Sequence, residues 1–184
     1  LPIYDEKGAV KGFDYKRYSF RLKTNYQPLE WLTIRPSLSG AMQTSDDRQH
    51  SVTSMYSMLP WDKPYDDEGK PVPHKSPGWV NSNSTNYVYD LQWNHGDTRN
   101  YEFMGNLDFD VRIAPWLTFS SVNNYKYLHR AQHGYQDPRS NAGQSVEGRI
   151  TEYHLEVARR YTNQKLLTNN SWGSHNLSGL VAYE

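Results

Sequence analysis

Phe103-Met104-Gly105-Asn106-Leu107-Asp108-Phe109-Asp110-Val111-Arg112 is the stretch on which the fold turns. Taken every second residue, Phe103, Gly105, Leu107, Phe109 and Val111 fall on one side, with Met104, Asn106, Asp108, Asp110 and Arg112 on the other. A helix would scatter those acids around its circumference. An extended strand lines them up, because its successive side chains point to opposite faces. The stretch therefore predicts a strand with one mainly apolar face and one charged face.

The same alternation recurs on either side of it. Tyr18, Phe20, Leu22, Thr24 and Tyr26 oppose Ser19, Arg21, Lys23 and Asn25; after Trp116, Leu117, Phe119, Ser121, Asn123, Tyr125 and Tyr127 oppose Thr118, Ser120, Val122, Asn124 and Lys126. An internal echo organises these strands: Gln27-Pro28-Leu29-Glu30-Trp31-Leu32-Thr33-Ile34 resembles Arg112-Ile113-Ala114-Pro115-Trp116-Leu117-Thr118-Phe119. Trp172-Gly173-Ser174-His175-Asn176-Leu177 is a third short connection carrying a Trp, and Pro and Gly at such points fit turn chemistry. Three hairpins are predicted, with strands near 15–27 and 31–44, 99–112 and 116–129, and 150–172 and 176–184. Pro36 falls inside the second strand, a residue normally confined to edges or bulges.

The connections between hairpins differ in kind. Stretch 45–98 is rich in Asp, Ser, Pro and Asn, and 130–149 in Gly, Gln and Ser. Loops beyond ~12–15 residues are uncommon in compact domains. Here they gather at one end of the strands and the tight turns at the other.

Composition narrows the function. The 184 residues carry 20 Lys+Arg against 20 Asp+Glu, so no basic footprint for nucleic acid exists. Only 36% are apolar while 14% are aromatic, and the mean hydropathy is −0.92. No apolar run approaches the ~20 residues of a membrane helix. Disorder usually depletes aromatics; an all-β chain whose strands are apolar on one face accommodates both observations. Cysteine is absent, so disulfides, thiolate zinc sites and Cys nucleophiles are excluded. Both ends, Leu1-Pro2-Ile3-Tyr4 and Val181-Ala182-Tyr183-Glu184, read as mid-strand, and no signal peptide is legible, so an internal fragment is expected.

Short turns at one end and long loops at the other are the pattern of antiparallel, up-and-down transmembrane β-barrels, with the turn tryptophans forming an aromatic girdle. On this reading residues 1–184 form a partial outer-membrane barrel of about six strands. Phe20, Leu22, Leu32, Ile34, Leu38, Leu107, Phe109, Leu117 and Phe119 face lipid, while Arg21, Lys23, Arg35, Asn106, Asp108, Asp110 and Lys126 line a wet interior. Two other readings stay open: a small independent barrel or surface protein, and a soluble β-rich carbohydrate-binding module.

Several of these stretches resemble one family. Tyr15-Lys16-Arg17-Tyr18-Ser19-Phe20-Arg21-Leu22-Lys23-Thr24-Asn25-Tyr26 running into Trp31-Leu32-Thr33-Ile34 resembles a hairpin of the SusC/RagA family of TonB-dependent transporters. Asn163-Gln164-Lys165-Leu166-Leu167-Thr168-Asn169-Asn170, followed by Trp172-Gly173-Ser174-His175-Asn176-Leu177, resembles its "N-x-L … F-G-x-H-N-L" hairpin, with Trp in the usual Phe position. Tyr101 to Phe109 also fits a strand of the family. The resemblance implies a plugged barrel of roughly 22 strands in a Bacteroidetes-type, Gram-negative outer membrane. It further implies import of glycan oligosaccharides or peptides, energy drawn through TonB, and a SusD-like lipoprotein lid. No plug domain or TonB-contacting segment is recognisable in these residues.

Candidate chemistry is sparse. The 45–98 loop holds aromatics beside carboxylates and amides, and Trp61, Tyr65, Trp79 and Trp93 are its candidate substrate contacts, because apolar sugar faces stack on such rings. The plainer role for these rings is to fold the loop upon itself. Asp108 and Asp110 share a strand face, but lumen electrostatics with Arg21, Arg35 or Lys126 suits them better than acid–base catalysis. His129 and His133 lack the Glu of H-E-x-x-H, and Asp66-Asp67-Glu68-Gly69 does not match EF-hand spacing. Asn83-Ser84-Thr85, Asn169-Asn170-Ser171 and Asn176-Leu177-Ser178 match the glycosylation pattern by chance in a bacterial barrel. No nucleophile elbow, P-loop or dinucleotide fingerprint is present. Neither enzymatic activity, nor a metal, nor a cofactor is expected.

Overall fold

A computed structural model describes residues 3–9, 12–47, 49–74, 76–81 and 83–184. The backbone runs as β1 (Ile3–Lys7), β2 (Asp14–Lys23), β3 (Tyr26–Leu29), β4 (Leu32–Asp46), α1 (Val52–Tyr56), α2 (Tyr87–Asp90), β5 (His95–Ala114), β6 (Leu117–Gln136), α3 (Asn141–Gln144), β7 (Arg149–Trp172) and β8 (His175–Tyr183). All eight strands belong to one antiparallel sheet ordered β1-β2-β4-β5-β6-β7-β8, with β3 also paired to β4. Sequential strands are therefore spatial neighbours throughout, an up-and-down meander.

Register fixes which residues share a face, because residues opposite one another in a pair point the same way. One face gathers Phe20, Leu22, Ile34, Leu38, Phe103, Leu107, Phe109 and Phe119. The other gathers Arg21, Lys23, Arg35, Asn106, Asp108, Asp110 and Lys126. Among the described residues no hydrophobic side chain is buried; Leu22 is 64% exposed and Leu107 47%. The sheet is a single layer without an interior, and its apolar face is left uncovered by the described residues.

The three Trp-bearing turns close one end of the sheet, at Glu30-Trp31, Pro115-Trp116 and Gly173-Ser174 beside Trp172. Residues 47–94 and 137–148 connect strands at the opposite end. One short connection also lies there, joining β1 to β2, with the Gly8 N–H donating to the Phe13 carbonyl at 2.8 Å.

Several expected boundaries need correction. Strand β1 includes Ile3 and Tyr4 of the stretch that reads as mid-strand, but its continuation to Lys7 and its pairing with β2 were not foreseen, since its five exposed residues show no apolar periodicity; Leu1 and Pro2 before it lie outside the described residues. The expected loops 45–98 and 130–149 give up residues to strands, because β5 begins at His95 and β6 continues to Gln136. Hydrogen-bonded pairing from His95↔Tyr135 onward needs no apolar face, so a hydrophobic pattern cannot reveal it. The expected strand 15–27 is two, β2 and β3, and Pro36 accounts for the break. Its carbonyl accepts the Thr24 N–H at 3.1 Å, but proline has no N–H to return. Pairing of β2 with β4 stops at Lys23↔Ser37 and resumes as β3 at Tyr26↔Ile34. The proline thus sits inside a central strand, at the point where its neighbour is interrupted.

Gly40 shows how tightly the apolar face is fitted at the β2–β4 junction. A Cβ placed there would run into the ring of Phe20, which lies across the glycine. Gly40→Val is expected to cost about 1–3 kcal/mol, read as a lower urea midpoint of the assembled protein. Phe20→Ala in the same chain should recover part of that loss; purely additive effects would show that the two residues do not meet.

Candidate functional site

The polar face is wired across strands by short side-chain contacts. Arg35 on β4 pairs with Asp110 on β5 at 2.7 Å, one register step from its direct partner Asp108. One step further, the Asn106 amide donates to Ser37 Oγ at 2.9 Å, and Asn124 on β6 donates to Asn106 Oδ1. Lys126 pairs with Glu102, and Arg130 Nε donates to Asn100 Oδ1 at 2.8 Å. Arg21 and Lys23 share this face but enter no ion pair among the described residues. Register therefore puts Arg21, Lys23, Arg35, Asn106, Asp108, Asp110 and Lys126 on one face of the sheet. Sharing a strand face, Asp108 and Asp110 stand about 7 Å apart along the chain, and Arg35 engages Asp110.

One row of this face holds acceptors without donors among the described residues. Asp108 and Asn163 oppose Val122 from either side, and Oδ1 of each is shielded from solvent without a hydrogen-bond partner among those residues.

Above the sheet, the two long connections form one folded cap, built on buried polar groups instead of apolar ones. Asn86 is fully buried: its amide donates to the carbonyls of Pro64 (2.8 Å) and Val72 (2.6 Å), and its Oδ1 caps α2 by accepting the Val88 N–H. Asp62 accepts the N–H groups of Leu59, Val80 and Asn81, drawing two distant loop segments together. The two loops are joined at three points. Asp90 accepts both the backbone N–H and the side-chain amide of Asn141; Asn94 Oδ1 accepts the Asp137 N–H at 3.0 Å; and the Arg139 guanidinium lies 3.6 Å from the centre of the Trp93 ring. Arg139 is held there by two bonds to the Asp137 carboxylate, at 2.7 and 2.8 Å.

The four candidate aromatic contacts divide accordingly. Trp93 packs under Arg139, and Trp79 donates its indole N–H to the Asn81 carbonyl at 2.7 Å, so both serve the fold of the cap. Trp61 (62% exposed) and Tyr65 (41% exposed) remain open to solvent, beside Tyr56 at 85%. The polar hubs Asp62, Asn86, Asp90, Asp137 and Ser140 were not anticipated. Part of the signal was present: Ser51, Asn86 and Ser140 stand as side-chain caps before the short helices, a position such residues favour.

Ionisation couples the cap to pH. Burial pushes the Asp62 carboxyl upward, but its three backbone N–H donors prevail and hold it below the usual range. Asp137, gripped first by the Arg139 side chain and then by that residue's N–H, lies well below the carboxylate range. Asp90 moves the other way, since burial outweighs the Asn141 donors and raises it. Lowered carboxyls stabilise the fold above their unfolded value near ~3.9 and lose that contribution as pH falls through the folded value. Asp90 contributes oppositely, favouring the fold below the unfolded value and losing that as pH rises through its raised one.

The sequence matches no family model and no curated protein. The fold defines a class, an antiparallel β-wall with one apolar and one hydrogen-bonded polar face. A solved structure shares it over nearly the whole chain: the RagAB peptide importer in its closed-closed state, at TM-score 0.75 and 17% identity, over 98% of this chain. This chain spans 21% of that one, about a fifth of its length.

Two measurements check the cap. Asn86→Ala should cost about 1–3 kcal/mol of cap stability by stranding the Pro64 and Val72 carbonyls, seen as proteolysis within 59–94 while the sheet stays protected. Hydrogen exchange in the wild type should show the cap closed from neutral pH to about pH 4 and opening below that. Opening first on the alkaline side would reverse the assigned balance.

Proposed function

We propose that this chain is part of the barrel wall of a SusC-like, TonB-dependent importer in a Gram-negative, Bacteroidetes-type outer membrane. The observation that carries the reading is the two-faced sheet without an interior. Its apolar face meets lipid, and its charged face lines the lumen. An isolated sheet of this kind would leave strand edges that lipid cannot satisfy, so β1 and β8 continue into further strands of a closed barrel. The likeness to a chain of a peptide importer supports this assignment, and favours a peptide over a glycan oligosaccharide as cargo.

In this function the polar face offers donors and acceptors of both signs along the path of a polar oligomer. The cap stands at the cell exterior, where Trp61 and Tyr65 contact cargo or a lipoprotein lid. TonB supplies energy through the remainder of the protein. No covalent step is assigned to these residues, and the role proposed is passage and not catalysis.

Paired substitutions on one strand test the face assignment. Val111→Arg, on the apolar face five residues above Trp116 and so near mid-band, should cost about 2–4 kcal/mol and sharply reduce the folded barrel recovered from outer membranes. Asn106→Arg, on the opposite face of the same strand, should assemble normally. Equal recovery of the two would refute the reading. For cargo, vesicles bearing the full-length protein should take up a labelled oligopeptide in preference to an oligosaccharide, and Trp61→Ala should weaken capture without reducing assembly.

A further inference from the structure

The apolar face carries a trough that the transport reading does not use. It crosses five strands between two adjacent rows of side chains and encloses about 870 Å³. One row is Leu22, Leu38, Gly105, Tyr125 and Arg160; the other includes Pro36, Leu107, Asn123 and Thr162. Gly105, with no side chain, leaves the gap between them wide.

The exposed lining is mainly carbon, and Asn123 and Thr162 in the second row are already engaged. The Thr162 hydroxyl donates to Asn123 Oδ1 at 2.9 Å, and the Asn123 amide donates to the Leu107 carbonyl at 3.0 Å and to Ser121 Oγ at 2.8 Å. Arg160 is the exception. Its guanidinium lies 6.0 Å from the centre of the Tyr125 ring and has no carboxylate partner among the described residues.

Height along the strands then places the charge. Arg160 stands 12 residues above Trp172, Leu107 nine above Trp116 and Leu38 seven above Trp31. At ~3.3 Å per residue and ~40° tilt these are roughly 30, 23 and 18 Å above the turns, against an apolar band ~25 Å tall. The guanidinium therefore sits at the outer edge of the band, and the leucines lie within it.

We propose that this trough holds one phosphate-bearing lipid of the outer leaflet, its phosphate on Arg160 and an acyl chain along Leu38 and Leu107. A free guanidinium at the headgroup level recognises phosphate through paired N–H donors, and a carbon-lined channel descending from it suits a chain and not a soluble anion. The inference rests on the membrane reading of the apolar face.

The test uses the full-length protein, delipidated in detergent and titrated with diphosphoryl lipid A, with bound lipid counted by native mass spectrometry. One tightly retained lipid is expected. Arg160→Gln should weaken it about tenfold, the loss of one charge-assisted contact. Arg159→Gln, one residue away on the polar face, should leave it unchanged. Gly105→Ala, which narrows the trough, should also weaken lipid retention without unfolding the sheet, since a Cβ there meets nothing closer than ordinary contact distance. Equal retention by the Arg159 and Arg160 variants, or equal retention of a phosphate-free lipid, would overturn the site. A wild-type protein that needs detergent yet holds no lipid A removes the lipid site alone, whereas one soluble without detergent removes the membrane reading beneath it.

Discussion

The backbone ladder between neighbouring strands is the interaction on which everything else depends. A domain of this length ordinarily gains most of its stability by burying apolar side chains between layers. Here there is one layer, and no hydrophobic residue among those described is buried. What organises the chain is strand-to-strand pairing, up to twenty residue pairs long between β6 and β7. The two faces must then meet different surroundings, because Phe20, Leu38 and Leu107 on one side gain nothing from water while Arg35, Asp110 and Lys126 on the other require it or its substitutes.

That constraint explains the contrast between sheet and cap. Beyond the apolar rows the strands continue with largely polar side chains, and contacts such as Arg99–Asp97, His129–Glu156 and Arg130–Asn100 add to the backbone pairing. The loops above cannot rely on an apolar interior either. Their shape depends on Asn86, Asp62, Asp90 and Asp137, each buried and each satisfying several backbone or amide groups at once. Such hubs order a loop because leaving any one partner unpaired inside the cap costs more than the bond itself contributes. Contacts from Asp90, Trp93 and Asn94 to Asn141, Arg139 and Asp137 make one body of two loops that are far apart in sequence.

The faces themselves are not uniform around the sheet. On β4 and β5 the apolar face is nearly unbroken, whereas on β6 and β7 the same face carries Ser121, Asn123, Thr162 and Gln164. Their side chains bond to one another and to the backbone, so polar groups there are largely satisfied within the wall. Gly105 and Arg160 break the pattern differently, one by leaving space and the other by bringing a charge without a carboxylate partner among the described residues.

Period-2 alternation in 103–112 determined the strand class, and Arg21, Lys23, Arg35, Asn106, Asp108, Asp110 and Lys126 were assignable to one face because a strand offers only two. The tryptophan turns were equally legible, since Pro and Gly act on their immediate neighbours. The extent and pairing of β1, the strand ends beyond the apolar rows and the break at Pro36 were not, because each depends on which partner lies alongside. Only the tertiary structure decided that Trp79 and Trp93 hold the cap while Trp61 and Tyr65 stay exposed. It alone joined Asp90 to Asn141 and set Arg160 at the head of a trough. Alternation is a local property of the backbone, whereas a hydrogen bond between residues fifty positions apart is settled by where the folded sheet carries them.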